Sequence, residues 1–78
     1  MKDLTSLREG ERGRVALLSP SGGMRRRLMD LGFTPGAPVR CLFSAPGKGM
    51  RAYQVRSAVV ALRGRDAQCI RLEEKNHA

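Results

Sequence analysis

The chain has 78 residues, 41% of them apolar, and a formal net charge of +8 from 15 Lys and Arg against 7 Asp and Glu. That length holds one domain with a thin core, since a chain of this size buries only about 60% of its unfolded surface. The composition excludes a disordered chain, and the size argues against an enzyme, whose cleft usually needs roughly 300 Å³ or more.

In chain order, Leu4 and Leu7 lie three apart and predict a short helical turn capped by Asp3 or Thr5. Gly13 to Ser19 reads as a first strand, with Val15 and Leu17 on one face and Leu18 near its end. Ser19-Pro20-Ser21-Gly22-Gly23 breaks it. A helix follows over about residues 22–31, with Ser21 or Gly22 as N-cap and Met24, Leu28 and Leu31 on one apolar stripe. Gly32 is placed as a left-handed stop, with Phe33 for the hydrophobic contact that accompanies a Schellman ending. Thr34-Pro35-Gly36 has Pro and Gly where a type II turn requires them.

Beyond that turn the period becomes two. Ala37, Val39, Cys41 and Phe43 alternate with Pro38, Arg40, Leu42 and Ser44 in a half-buried strand. Ala45 to Gly49 is a loop. Tyr53 and Val55 mark a third strand and Val60 and Leu62 a fourth, with Val59 and Ala61 on its other face. Arg56-Ser57 between them is short enough for a tight hairpin but lacks the usual glycine. Arg65 to Gln68 reads as one helical turn, and Cys69 to Leu72 as a last strand. Five short strands in so short a chain must curl to cover their apolar face. The expectation is therefore a mainly β, SH3-like, partly open barrel with one inserted helix, a domain over residues 1–73 and a polar tail over 74–78.

The charge is concentrated. Between residues 12 and 72, twelve cations face only Asp30 and Asp66, giving +10. Such a block suits an acidic protein face, a nucleic acid or an anionic membrane, with simple solubility as the competing reading. The N-terminus carries no apolar signal-like stretch and no run approaches the roughly 20 residues of a membrane span, so a cytoplasmic chain is expected. Cys41 and Cys69 then read as small hydrophobes rather than a disulfide, although the pairing stays open in principle.

The run Met24-Arg-Arg-Arg-Leu-Met-Asp-Leu-Gly-Phe-Thr-Pro-Gly36, followed by a β segment and Ala45-Pro46-Gly47, resembles the FeoA family of ferrous iron transport proteins. Leu7 to Val15 is similar to the start of that family, and Val60 to Arg63 with Asp66-Ala67 to its close. The resemblance implies an SH3-like barrel with an inserted helix, a cytoplasmic location, and support of a FeoB-like membrane GTPase in bacterial ferrous iron uptake. That partner could hold it peripherally at the inner face of the plasma membrane. The related module also forms the C-terminal part of DtxR-type metal-dependent repressors, and with no DNA-binding part expected ahead of it the transport accessory is preferred. Two positions depart from the family. Gly47-Lys48-Gly49-Met50 stands where Leu-Gly-Asp-Pro is usual, and Ser57-Ala58 where Gly-Tyr is.

The candidate partner-binding residues are Arg25, Arg26, Arg27 and Met29. Cations in the first turns oppose the helix dipole, each at about 0.3–1 kcal/mol when exposed, which points to an anionic partner. A solvated face paired with Asp30 or the tail carboxylates is the competing reading. Met29 lies about 100° off the buried stripe, so it can contact a partner or pack on the core. Gly22-Gly23 opens a helix but lacks the Gly-Lys-Ser/Thr of a phosphate loop, and reads as a plain loop. No metal site is expected from Cys41, Cys69 and His77, which lack ligand spacing, and no cofactor or small-molecule substrate. No catalytic residue is expected, because the only His lies in the tail and no two acids suggest a pair. Nucleic-acid binding is the rival class, disfavoured by only three aromatics, two of them assigned to the core. Weak self-association through an open barrel edge is left open.

Overall fold

The computed structural model describes residues 2–19, 23–45 and 49–74. Five antiparallel strands form one open, curled sheet: β1 (Arg12–Leu18), β2 (Pro38–Ala45), β3 (Met50–Val55), β4 (Ala58–Arg63) and β5 (Ile70–Leu72), in the order β4-β3-β2-β1-β5. The helices are α1 (Gly23–Asp30) and the single turn α2 (Gly64–Ala67), and a 3-10 turn spans Leu4–Ser6. The expected N-caps Ser21 and Gly22, the centre of the 45–49 loop and His77 lie outside the described residues.

The curl comes from β1. Its first half pairs with β2 (Arg12↔Arg40 to Arg14↔Pro38) and its second half with β5 (Val15↔Leu72 to Leu18↔Ile70). The change of partner coincides with a bulge between Val15 and Leu17, and bulges sharpen bend and twist. It also corrects the expected face of Leu17. Val15 and Leu18 are buried, whereas Leu17 is exposed, because the extra residue reverses the alternation. A second bulge, between Cys41 and Phe43, does the same to β2. Val39 and Cys41 point inward as expected, but Phe43 is turned out and stands 56% exposed.

The end of α1 follows the sequence closely. The Phe33 N–H donates to the Leu28 carbonyl at 3.1 Å and the Gly32 N–H to that of Met29 at 3.0 Å, the paired bonds of a Schellman ending. Gly32 has φ +117°, and a methyl group there would lie 3.4 Å from Val55. The Ala37 N–H then closes onto the Thr34 carbonyl at 2.9 Å with Gly36 at φ +88°, as a type II turn requires. Leu28 and Phe33, the two side chains this motif brings together, are both buried.

Tyr53, Phe33, Leu4, Leu28, Ile70, Val15, Val39, Val55 and Cys41 form the centre of the core. One end is closed by the N-terminal turn. Asp3 caps it by accepting from the Thr5 N–H at 2.8 Å, and its carboxylate also accepts from the Thr5 hydroxyl. Buried Tyr53 donates its hydroxyl to the Leu4 carbonyl at 3.2 Å. The half-buried Arg51 guanidinium donates to the carbonyls of Thr5 and Leu7 at 3.1 and 3.2 Å. Burial is the main cause that pushes the Tyr53 phenol up to about 12, against the opposing pull of Arg51.

Candidate partner-binding surface

The tight turn after Gly32 holds α1 against the sheet by Leu28, and this leaves most of the short helix in water. Arg25, Arg26 and Arg27 are all exposed. No acid lies in the first turn of α1, and the helix is so short that Arg27 also falls in its last turn. There a cation meets the negative end of the helix dipole, so the unfavourable placement belongs to Arg25 and Arg26. Met29 is half-buried and packs against the core, with part of its side chain still accessible.

The expected apolar stripe of α1 is only partly buried, which corrects the sequence reading. Leu28 is 2% exposed, but Met24 and Leu31 are 40% and 39% exposed. An eight-residue helix anchored through its C-terminal stop touches the sheet at one turn only, and the flanking stripe residues overhang. They wall a groove of about 190 Å³ against Val60 and Leu62 of β4, with Arg27 and Asp66 also lining it. Val59, on the other face of β4, is 64% exposed. The helix thus presents its arginines beside an apolar groove, where the sequence had suggested arginines beside Met29 alone. Nothing local in the sequence separates a stripe residue that is covered from one that overhangs.

Arginines also line the outer face of the sheet. Arg12 lies directly opposite Arg40, and Arg40 opposite Gln54. Arg12, Arg40 and Arg56 line one shallow groove around Pro38. Arg51, by contrast, serves the fold. Arg25, Arg26 and Arg27 thus form one exposed group and Arg12, Arg40 and Arg56 another, while Arg14 donates to the Gly36 carbonyl at 2.8 Å.

Both cysteines are free thiols. Cys41 is buried, and desolvation pushes its thiol up against the pull of Arg51. The Cys69 thiol is half-buried and donates to the Arg65 carbonyl at 3.4 Å. Among the described residues no three His, Cys, Asp or Glu side chains gather as a metal site would need. No described helix is long and apolar enough to cross a membrane.

The fold is similar to that of Stenotrophomonas maltophilia FeoA complexed with zinc, a prokaryotic SH3 domain protein, at 26% identity over 94% of this chain and 91% of that one (TM-score 0.82). It is also similar to FeoA from Chlorobium tepidum, at 30% identity over 91% of this chain and 68% of that one (TM-score 0.83). A manganese-dependent transcriptional repressor matches at 29% identity and TM-score 0.80, with 91% of this chain covering 40% of that one. No curated protein is similar enough to count as a relative. The FeoA domain family itself matches residues 2–74, nearly the full length. With the open SH3-like sheet, the inserted helix and its glycine stop in place, the chain belongs to the FeoA family.

Proposed function

We propose that the protein is a cytoplasmic accessory of bacterial ferrous iron uptake that binds the cytosolic region of a FeoB-like membrane GTPase and modulates it. Membership of the FeoA family supports the pathway. The observation that carries the binding mode is the exposed Arg25-Arg26-Arg27 face beside the groove walled by Met24 and Leu31. Such a surface offers an acidic partner both charge complementarity and an apolar anchor, the combination that gives steering and a slow off-rate. Met29 contributes through its accessible part. The protein acts by contact rather than by chemistry of its own, and any place at the inner membrane face comes through the GTPase.

The test is a binding and GTPase-rate titration of the FeoB cytosolic region from the same cell with the wild-type chain and with Arg25→Glu/Arg26→Glu/Arg27→Glu. Binding at physiological salt that weakens at least about tenfold in the triple variant, with the fold kept, supports the reading. Equal binding by both proteins removes the triplet from the site.

The arginine groove around Pro38 and the exposed Phe43 favour a second reading, binding of single-stranded nucleic acid, in which a basic track and a stacking ring act together. A gel shift across a salt series separates the two readings. Sub-micromolar binding at physiological salt would place nucleic acid ahead of the GTPase.

A further inference from the structure

β4 is an edge of the sheet. Among the described residues its only strand partner is β3. The hairpin link Arg56-Ser57 fixes which backbone groups are left over. A two-residue link makes Val55 and Ala58 a pair that exchanges both hydrogen bonds, so the even-numbered residues of β4 turn their N–H and C=O towards β3. The Gly64 N–H, which donates to the Gly49 carbonyl at 3.0 Å, continues that parity. Val59, Ala61 and Arg63 therefore aim their backbone groups away from the sheet. Natural edges are normally blunted by charge, proline, a bulge or shortness. β4 runs six residues, Ala58-Val-Val-Ala-Leu-Arg63, paired with β3 in unbroken register and with no charge before its last position.

That edge borders the apolar groove beneath α1, which Arg27 lines together with one acid, Asp66, and further cations lie on or beside the same two elements. Arg25, Arg26 and Arg27 stand on the helix, and Arg63 and Arg65 lie at the end of β4 and just beyond it, all exposed. We propose that β4 accepts an extended acidic segment of a protein partner as a sixth, antiparallel or parallel strand. Its alternate apolar side chains enter the groove between Met24, Leu31 and Val60, and its acidic ones lie on the opposite face, the one that carries Val59 and Arg63. A strand has a period of two, so one set of side chains reaches the groove while the other stays in water. A second copy of this chain could supply the backbone bonds, but it would bring another +8 to a cationic surface. The charge selects an acidic partner.

This inference rests on the reading that the α1 face binds a protein, and the experiment separates the two. The probe is a ten-residue peptide alternating glutamate and valine, added to about 1 mM to the full chain while amide hydrogen exchange is followed residue by residue. Strand addition slows exchange at Val59 and Ala61 at least about tenfold, and the same peptide N-methylated at alternate residues does not. Ala61→Pro, which removes an outward N–H only, and Val59→Glu, which sets a like charge against the acidic strand, each weaken peptide binding about tenfold while the folded spectrum is retained. Unchanged exchange at Val59 and Ala61, equal protection by the N-methylated peptide, or protection that grows with protein concentration alone overturns the inference. If the GTPase region binds and Ala61→Pro binds it equally well, strand addition fails and the preceding reading stands. If the peptide protects β4 and the GTPase region does not bind, the preceding reading fails alone.

Discussion

β5 and β4 are the two edges of one sheet, and among the described residues only β5 is covered by the chain's own backbone. The Leu72 N–H at the outer side of β5 donates to the Lys2 carbonyl at 2.8 Å, and Asp3 forms a bridge with Arg71. Around that corner the Tyr53 and Arg51 side chains tie the N-terminal turn down by donating three hydrogen bonds to the carbonyls of Leu4, Thr5 and Leu7. β4 is twice as long and has exposed Val59 and an overhanging helix for neighbours. A small domain has little core to spare. The closed end commits its apolar and hydrogen-bonding groups to stability, whereas the β4 side leaves comparable groups exposed, where only a partner can use them.

Substitutions at the closed end should therefore be costly. Leu4→Ala, at a fully buried residue, is expected to lower unfolding free energy by about 3 kcal/mol in urea denaturation. For so small a domain that loss removes much of the total stability. Gly32→Ala comes next, at about 2 kcal/mol. The cost comes from its φ of +117°, which an L side chain tolerates poorly, since the added methyl would meet Val55 at an ordinary contact distance.

Tyr53→Phe should cost about 1 kcal/mol at neutral pH, because the Leu4 carbonyl loses its buried donor. It also changes the alkaline limb of stability. The folded phenol titrates near 12 and the unfolded one near 10, so the contribution is fully present below pH 10 and is lost between pH 10 and 12. Above pH 10 the unfolded state releases the proton first, and unfolding becomes easier as pH rises. Phe lacks this step, so a denaturation series from pH 9 to 12 should show a shallower decline in the variant.

Several parts of this comparison were legible in the sequence. Gly32-Phe33 and Thr34-Pro35-Gly36 determine their own geometry, since a left-handed stop and a type II turn are local and need those residues. The two bulges left no such mark. Nothing in Val15-Ala-Leu17 or Cys41-Leu-Phe43 differs from plain alternation, and the extra residue in each strand is set by the partner it meets across the sheet. Nothing in the sequence marks Arg51 as structural, because its carbonyl partners are 44 and 46 residues away. That β4 would be an edge was equally hidden, since strand order is a property of the whole chain. The arginine triplet was legible as a charge feature, but the groove that gives it an apolar neighbour required knowing which stripe residues overhang.

The smallest effect on stability carries the sharpest test. Leu31 is the same residue type as Leu4 and shares an apolar stripe with buried Leu28, yet it is 39% exposed where Leu4 is fully covered. Leu31→Ala should change unfolding free energy by only about 0.5 kcal/mol, and Met24→Ala by a similar amount, as expected for side chains whose contacts are already half solvent. Their combined loss should nevertheless weaken binding of the GTPase region about tenfold by isothermal titration calorimetry, because the groove would keep its charge but lose its apolar wall. If the double variant is instead destabilised as strongly as Leu4→Ala, the two residues belong to the core and the distinction between a closed and an open side collapses. If stability and binding are both unchanged, the groove is an incidental gap under a short helix, and the arginines alone must account for any partner.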